Sequence, residues 1–128
     1  MKIKKMKIKA KAFGYKIVNK YTGTVFEKFP QFLPVKRIDE NDRAIAFHHP
    51  KPCYEKHILI IPKKSIKNLS SLSNSELPYI QDCFKLVKTI IKKFNWEMKE
   101  YKLIVNGGKN QKIKQLHFHL IRSRKTKI

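Results

Sequence analysis

The sequence predicts an α+β domain, an antiparallel five-stranded sheet with one long helix packed on it. Three features carry that expectation. Short runs rich in Ile, Val and Phe are bounded by turn residues and prolines, the pattern of strands. One segment, Leu77 to Phe94, instead repeats apolar residues at three and four positions, the period of an amphipathic helix. A length of 128 residues is enough for one domain with a real core.

The domain is expected to span residues 13–122, with a basic arm over 1–12 and a basic tail over 123–128. Residues 1–12 alternate Lys with Ile, Met or Ala and read either as an edge strand or as an unfolded arm. Phe13 to Lys20 fits one or two helical turns, and 21–34, with Gly23, Pro30 and Pro34, an irregular connection. Val35 to Ile38, the acidic turn Asp39-Glu40-Asn41-Asp42, and Arg43 to Phe47 form a hairpin. The prolines of His48-His49-Pro50-Lys51-Pro52 break its second strand. His57 to Ile61 is a third strand, stopped by Pro62. Ser73-Asn74-Ser75-Glu76 has the form of a capping box. The helix after it sets Leu77, Ile80, Phe84, Val87, Ile91 and Phe94 on a core-facing stripe, with Lys85, Lys88 and Lys92 opposite. Pro78 sits in the first turn, where a missing N–H is tolerated. Tyr101 to Val105 and Gln115 to Ile121 complete the sheet.

Composition narrows the function. The longest apolar run, Ile58-Leu59-Ile60-Ile61, is far too short to cross a bilayer, and no apolar segment follows the charged start as a secretory signal requires. Cys53 and Cys83 form neither a disulfide framework nor metal-ligand spacing, so two reduced thiols and a cytoplasmic location are expected. The formal charge of +21 is extreme. Residues 1–20 hold eight lysines and no acid, and Arg122, Arg124, Lys125 and Lys127 follow Ile121. Such a chain attracts nucleic acid non-specifically. Its lysines are spread through every segment and its arginines are few, whereas base-reading surfaces favour Arg.

The most informative stretch is Gln115-Leu116-His117-Phe118-His119-Leu120-Ile121. On a strand, positions two apart share a face. Gln115, His117 and His119 would then form one polar row, and Leu116, Phe118 and Leu120 a buried one. Just upstream, Asn106-Gly107-Gly108-Lys109-Asn110-Gln111 is a loop able to aim backbone N–H groups at an anion. Imidazoles beside an anion-binding loop suggest phosphate chemistry. Histidines two apart on a strand can also grip zinc, but a third ligand is not apparent. No metal or other cofactor is expected.

Three blocks together resemble the histidine triad family of nucleotide-binding proteins. His57-Ile58-Leu59-Ile60-Ile61-Pro62-Lys63-Lys64 is similar to that family's His-x-Leu-Val-Ile-Pro-Lys strand. Asn106-Gly107-Gly108 followed by Gln111 looks like its phosphate loop, and Gln115-x-His117-x-His119 like its triad. The ten residues from Phe47 to His57 also fit. The resemblance covers residues 13–122 and departs in places. Gln115 stands at the first triad position. His49 stands where hydrolysing members place an Asp for the ribose hydroxyls. The loop before Gln111 is about two residues short, and a zinc-binding Cys pair near Phe13 is absent.

The resemblance implies a HIT-like fold and a set of roles. His117 matches the nucleophile that attacks an α-phosphorus to give a nucleotidyl-imidazole. Its other nitrogen is held by the backbone carbonyl of position 115, an acceptor that survives His→Gln. His119 assists the leaving atom, and His57 neutralises phosphate charge. Asn106, Gly108 and Gln111 hold phosphoryl oxygens. Phe47 lines the base or ribose pocket, with His48 and His49 at its rim. The expected function is hydrolysis or transfer on a phosphoramidate, a dinucleoside polyphosphate or a similar purine nucleotide conjugate, by a homodimer formed through the long helix and fourth strand. Alternatives are a nucleotide-binding module with little turnover and a nucleic-acid-associated deadenylase.

Overall fold

In a computed structural model of the protein, residues 37–125 are described, and the N-terminal arm, the 13–20 segment and the 21–34 connection lie outside them. The described part is an antiparallel sheet of five strands in the order β1-β2-β3-β5-β4, with one long helix. The strands are β1 (Arg37–Glu40), β2 (Ala44–His48), β3 (Tyr54–Pro62), β4 (Lys102–Val105) and β5 (Phe118–Lys125). The helix α1 is Leu77–Lys93. Architecture and element order agree with the sequence reading.

Several boundaries differ, each for a local reason. Asp39 and Glu40 belong to β1, and the turn falls after them. There Asn41 Oδ1 accepts the Ala44 N–H at 2.9 Å and Asn41 Nδ2 donates to the Asp82 carbonyl at 3.0 Å, tying the hairpin to α1. β3 begins three residues before His57 and includes Pro62, which pairs with Ala44 at the strand end. Gln115 to His117 lie outside the ladder. The Leu116 N–H is spent on the Ile66 carbonyl at 2.7 Å, so β5 starts at Phe118.

Alternation along the strands divides the sheet into two faces. Ala44, Ala46, Ile58, Ile60, Phe118 and Leu120 pack under α1 against Cys83, Leu86, Val87 and Ile90, and together form the core. Burying each of the larger aliphatic side chains stabilises the fold by about 1.5–3 kcal/mol. The predicted helix stripe is corrected here. Of its six residues Leu77 and Phe84 are about half exposed, while Val87 is buried in the core and Ile80, Ile91 and Phe94 pack against it, joined by Cys83, Leu86 and Ile90. The apolar face of α1 is therefore wider than the part the sheet covers, and a period of 3.6 does not say which edge, here Leu77 and Phe84, stays outside.

The helix ends are chemically defined. Glu76 Oε1 accepts the Ser73 N–H at 2.9 Å, in a short 3-10 turn that leads into Leu77. At the other end Asn95 takes a left-handed φ of 58°. Trp96 N–H then reaches the Ile91 carbonyl (2.8 Å) and Asn95 N–H the Lys92 carbonyl (3.1 Å), a Schellman closure with Asn in the usual glycine position.

Candidate functional site

The opposite face of the sheet holds the histidines. His57 lies across from Ile121 on β5, and His119 across from Leu59 on β3, so the two imidazoles meet diagonally on one face. His57 Nε2 and His119 Nδ1 are 2.8 Å apart. Phe47 pairs with Leu59, which pairs with His119, giving a row across three strands. Phe47 is buried on this face, whereas His48, at the end of β2, is exposed.

Between β2 and β3 the chain runs His49-Pro50-Lys51-Pro52-Cys53. The two prolines have no N–H, so Lys51 and Cys53 supply the donors of this turn. Lys51 N–H donates to His49 Nδ1 at 2.9 Å, and Cys53 N–H to His57 Nδ1 at 3.0 Å. Each neutral ring then carries its proton on Nε2. His57 Nε2–H is accordingly the donor to His119 Nδ1, and His119 also carries its proton on Nε2. His117 is the opposite case. Its Nδ1 lies 2.6 Å from the Gln115 carbonyl oxygen, which can only accept. That proton is fixed on Nδ1, and Nε2 of His117 keeps a lone pair.

The four rings lie close together, with centroid separations of 4.2 Å for His49–His57, 5.1 Å for His57–His119 and 4.9 Å for His117–His119. Burial, reinforced by His57, His119 and His117, pushes His49 down to about 3. Burial and His117 push His57 to about 4, and burial with His117 and His57 does the same to His119. His117 is lowered by burial, opposed by its bond to Gln115. All four are neutral at pH 7, as a nucleophilic imidazole must be.

Gln115, fully buried, donates from Nε2 to the Lys64 carbonyl at 3.2 Å, and its side-chain oxygen makes no hydrogen bond among the described residues. Gln111 Nε2 donates to the carbonyls of Lys67 (2.6 Å) and Ile113 (2.9 Å), which pins the end of the loop. Gly108 takes φ +57°, and neither it nor Gly107 has any atom within 4 Å of where a Cβ would sit. The backbone here is open to an approaching group.

His49 is the residue whose place in the cluster the strand motif does not disclose. Its signal is a histidine next to a proline at a strand end, which also describes an ordinary surface residue. With it, His49, His57 and His119 bring ring nitrogens within 4.8 Å of one another, a possible metal triad. The hydrogen bonding opposes that use. A metal-bound imidazole normally donates from its other nitrogen, but here backbone N–H groups point at Nδ1 of both His49 and His57. Either ring would have to lose its only proton to ligate through Nε2. The thiols are outside this chemistry: Cys53 contributes its backbone N–H, and burial pushes the Cys83 thiol up.

The HIT domain model matches residues 32–126, and the chain belongs to that family. It is 33% identical over 100 residues to an uncharacterized HIT-like protein of Helicobacter pylori, covering 76% of this chain and 93% of that protein. A histidine triad protein from Clostridium difficile is similar in structure, with TM-score 0.69 and 26% identity over 77% of this chain and 88% of that one. A HIT family hydrolase from Clostridium thermocellum matches with the same TM-score and coverage at 29% identity. Among the described residues no helix is long and apolar enough to cross a membrane.

Proposed function

We propose that the protein is a nucleotide-binding hydrolase or transferase of the histidine triad type, a variant in which Gln115 replaces the first triad histidine. It cleaves a nucleoside 5′-phosphate derivative through a covalent nucleotidyl-His117 intermediate. The observation that carries this reading is the 2.6 Å contact from His117 Nδ1 to the Gln115 carbonyl. It leaves Nε2 of a neutral, buried imidazole free to form a bond to phosphorus. Because the acceptor is backbone, Gln at position 115 does not remove it.

In this reading the N–H groups of the Asn106–Asn110 loop, with the Asn106 side chain, take the phosphoryl oxygens. Gly108 allows the backbone to approach, and Gln111 acts by pinning the loop. His57 holds His119, whose Nε2–H meets the leaving or bridging oxygen. Phe47 lines the nucleoside side of the pocket, with His49 at its rim, while His48, paired with Ile58, falls on the opposite face and is not assigned to the pocket. The test is turnover of a dinucleoside polyphosphate by wild type and by His117→Asn. A loss of about 10^4-fold or more on substitution is expected for a covalent nucleophile, and equal rates would end the assignment. A second reading, binding with little turnover, is favoured by His49, which cannot accept ribose hydroxyls as a carboxylate does. Tight AMP binding without product from any conjugate would support it.

We also assign the uncovered edge of the apolar face of α1 to a homodimer. Phe84, Val87 and Ile91 form, with Tyr101 and Leu103 beside edge strand β4, a groove of about 450 Å³. An exposed edge strand beside an apolar groove is a surface that proteins cover. Phe84→Glu should shift sedimentation from dimer to monomer. The two free cysteines agree with a reducing cytoplasm.

A further inference from the structure

Asn106-Gly107 is the one Asn-Gly step in the chain's 128 residues, and it falls in the loop that joins β4 to β5. We infer that Asn106 is a site of spontaneous covalent modification. The Gly107 backbone nitrogen closes on the Asn106 side chain, ammonia is lost, and the loop gains a carboxylate. The covalent step stands on local geometry alone. Its effect on ligands rests on the phosphate-loop reading above and adds to it a built-in route to inactivation.

Ring closure asks three things of an asparagine. The residue after it must not crowd the attacking nitrogen, the peptide between them must be able to turn, and neither reacting group can be tied up in a hydrogen bond. Glycine has no Cβ and turns most freely of all residues. Gly107 is exposed, and a Cβ there would meet no atom within 4 Å. The bonds that shape this loop use other groups. Asn110 N–H donates to the Gly107 carbonyl and Gln111 N–H to the Gly108 carbonyl, both at 3.1 Å. The Asn106 side chain and the Gly107 N–H make no hydrogen bond among the described residues. At four other asparagines the same chemistry is hindered. Asn41 holds its amide at both ends, accepting the Ala44 N–H and donating to the Asp82 carbonyl. Asn68 Oδ1 accepts from Ser70 and Ser71. After Asn95 and Asn110 the nitrogens that would attack, those of Trp96 and Gln111, already donate to carbonyls.

The step needs only water and hydroxide from the solvent. Hydroxide takes the Gly107 N–H proton, and the electron pair on nitrogen forms a bond to Asn106 Cγ. The bond from Cγ to Nδ2 breaks, and Nδ2 takes a proton from water to depart as ammonia. Lys109, exposed two residues further on, favours the anionic nitrogen. Water then opens the cyclic imide. Addition at Cγ breaks the new C–N bond and leaves an ordinary Asp. Addition at the Asn106 backbone carbonyl breaks the old one and leaves an isoaspartyl link, with one extra carbon in the loop backbone. Either product puts a carboxylate where an amide could donate. A carboxylate only accepts and repels a second anion, so phosphoryl oxygens lose both a partner and a neutral neighbour.

Incubating the whole chain at mildly alkaline pH and mapping its peptides by mass spectrometry tests the covalent step. The tryptic peptide Leu103–Lys109 should gain about 1 Da and elute as two products, before any other asparagine changes. Gly107 has an ordinary φ of −134° and open space at Cβ, so Gly107→Ala fits without strain. It should slow the gain by about fivefold or more, through the backbone freedom that glycine has and alanine lacks. An intact Asn106, or equal rates in the variant, would overturn the inference. The consequence is read separately, by calorimetry with AMP. Asn106→Asp should bind AMP about 100-fold more weakly than wild type, the size of one lost oxyanion donor. Saturating AMP should also protect Asn106 of the wild type, because a bound phosphate holds both reacting groups. Equal affinity in Asn106→Asp would overturn the inactivation and leave the modification standing. No AMP binding by the wild type would remove the phosphate-loop reading and the inactivation with it, and the mass shift alone would then decide the covalent step.

Discussion

Gln115→Leu separates what the backbone does at position 115 from what the side chain does. The substitution keeps roughly the volume of a side chain that has no exposed surface. It removes one hydrogen bond, the 3.2 Å donation to the Lys64 carbonyl, worth about 1 kcal/mol. It also removes a buried oxygen that makes no hydrogen bond among the described residues, and such a group costs about 1–3 kcal/mol to desolvate. The net change lies between zero and a gain of about 2 kcal/mol, or up to about 8 °C in Tm for a domain of this size. The His117 anchor is a carbonyl that leucine also has, so kcat should stay within about threefold. Urea unfolding and steady-state turnover on one preparation give both numbers. A fall in kcat of about 100-fold, or about 2.7 kcal/mol in the barrier, with the fold intact would refute the backbone anchor.

Further expectations follow from the same contacts. His49→Asp puts a carboxylate beside His57, whose ring centroid is 4.2 Å from that of His49, and should raise the His57 pKa from about 4 toward 6.5, readable by NMR titration; it should also raise turnover if position 49 limits it. Because folding lowers the pKa of His49, His57 and His119, their contribution to stability is complete above the unfolded value of 6.5 and is lost as pH falls toward 4 and 3. Urea midpoints should therefore drop across that window, by up to about 1.4 kcal/mol per pH unit for each ring, and a flat profile would contradict the buried neutral cluster. Leu120→Ala, in the core between α1 and the sheet, should cost about 2–5 kcal/mol by chemical denaturation.

The sequence disclosed most where side-chain periodicity and chemistry agreed. Strands from β-branched runs and a helix after Ser73-x-x-Glu76 follow from local pattern and reappear in the fold, whereas the meeting of His57 with His119 needs the β3–β5 pairing and was implied only by the family resemblance. Local pattern failed where long-range hydrogen bonds decide. Nothing near Leu116 signals that its N–H goes to Ile66, which takes Gln115 to His117 out of the ladder. Nothing in the Phe84 spacing says that it lies outside the main core, because the apolar face of α1 is wider than the sheet covers and only the packed sheet decides which edge is left out. The place of His49 came from the family resemblance alone, and local pattern missed it for a similar reason. Its neighbours in the cluster, His57 and His119, come from two other strands, and the hydrogen bonds that orient it and His57 come from backbone N–H groups. The alternation of Pro50 and Pro52 with Lys51 and Cys53 was visible as a strand break, but not as a pair of donors aimed at imidazoles.

The nucleophilic role of His117 is open to a direct measurement. Mixing excess enzyme with an adenosine polyphosphate, quenching within one turnover and mapping the peptides by mass spectrometry should find one adenylyl group, attached to His117 through nitrogen. It should be labile to acid and absent from His117→Asn. Turnover with no adduct at any time point, or an adduct on another residue, would contradict the assignment of His117 as nucleophile.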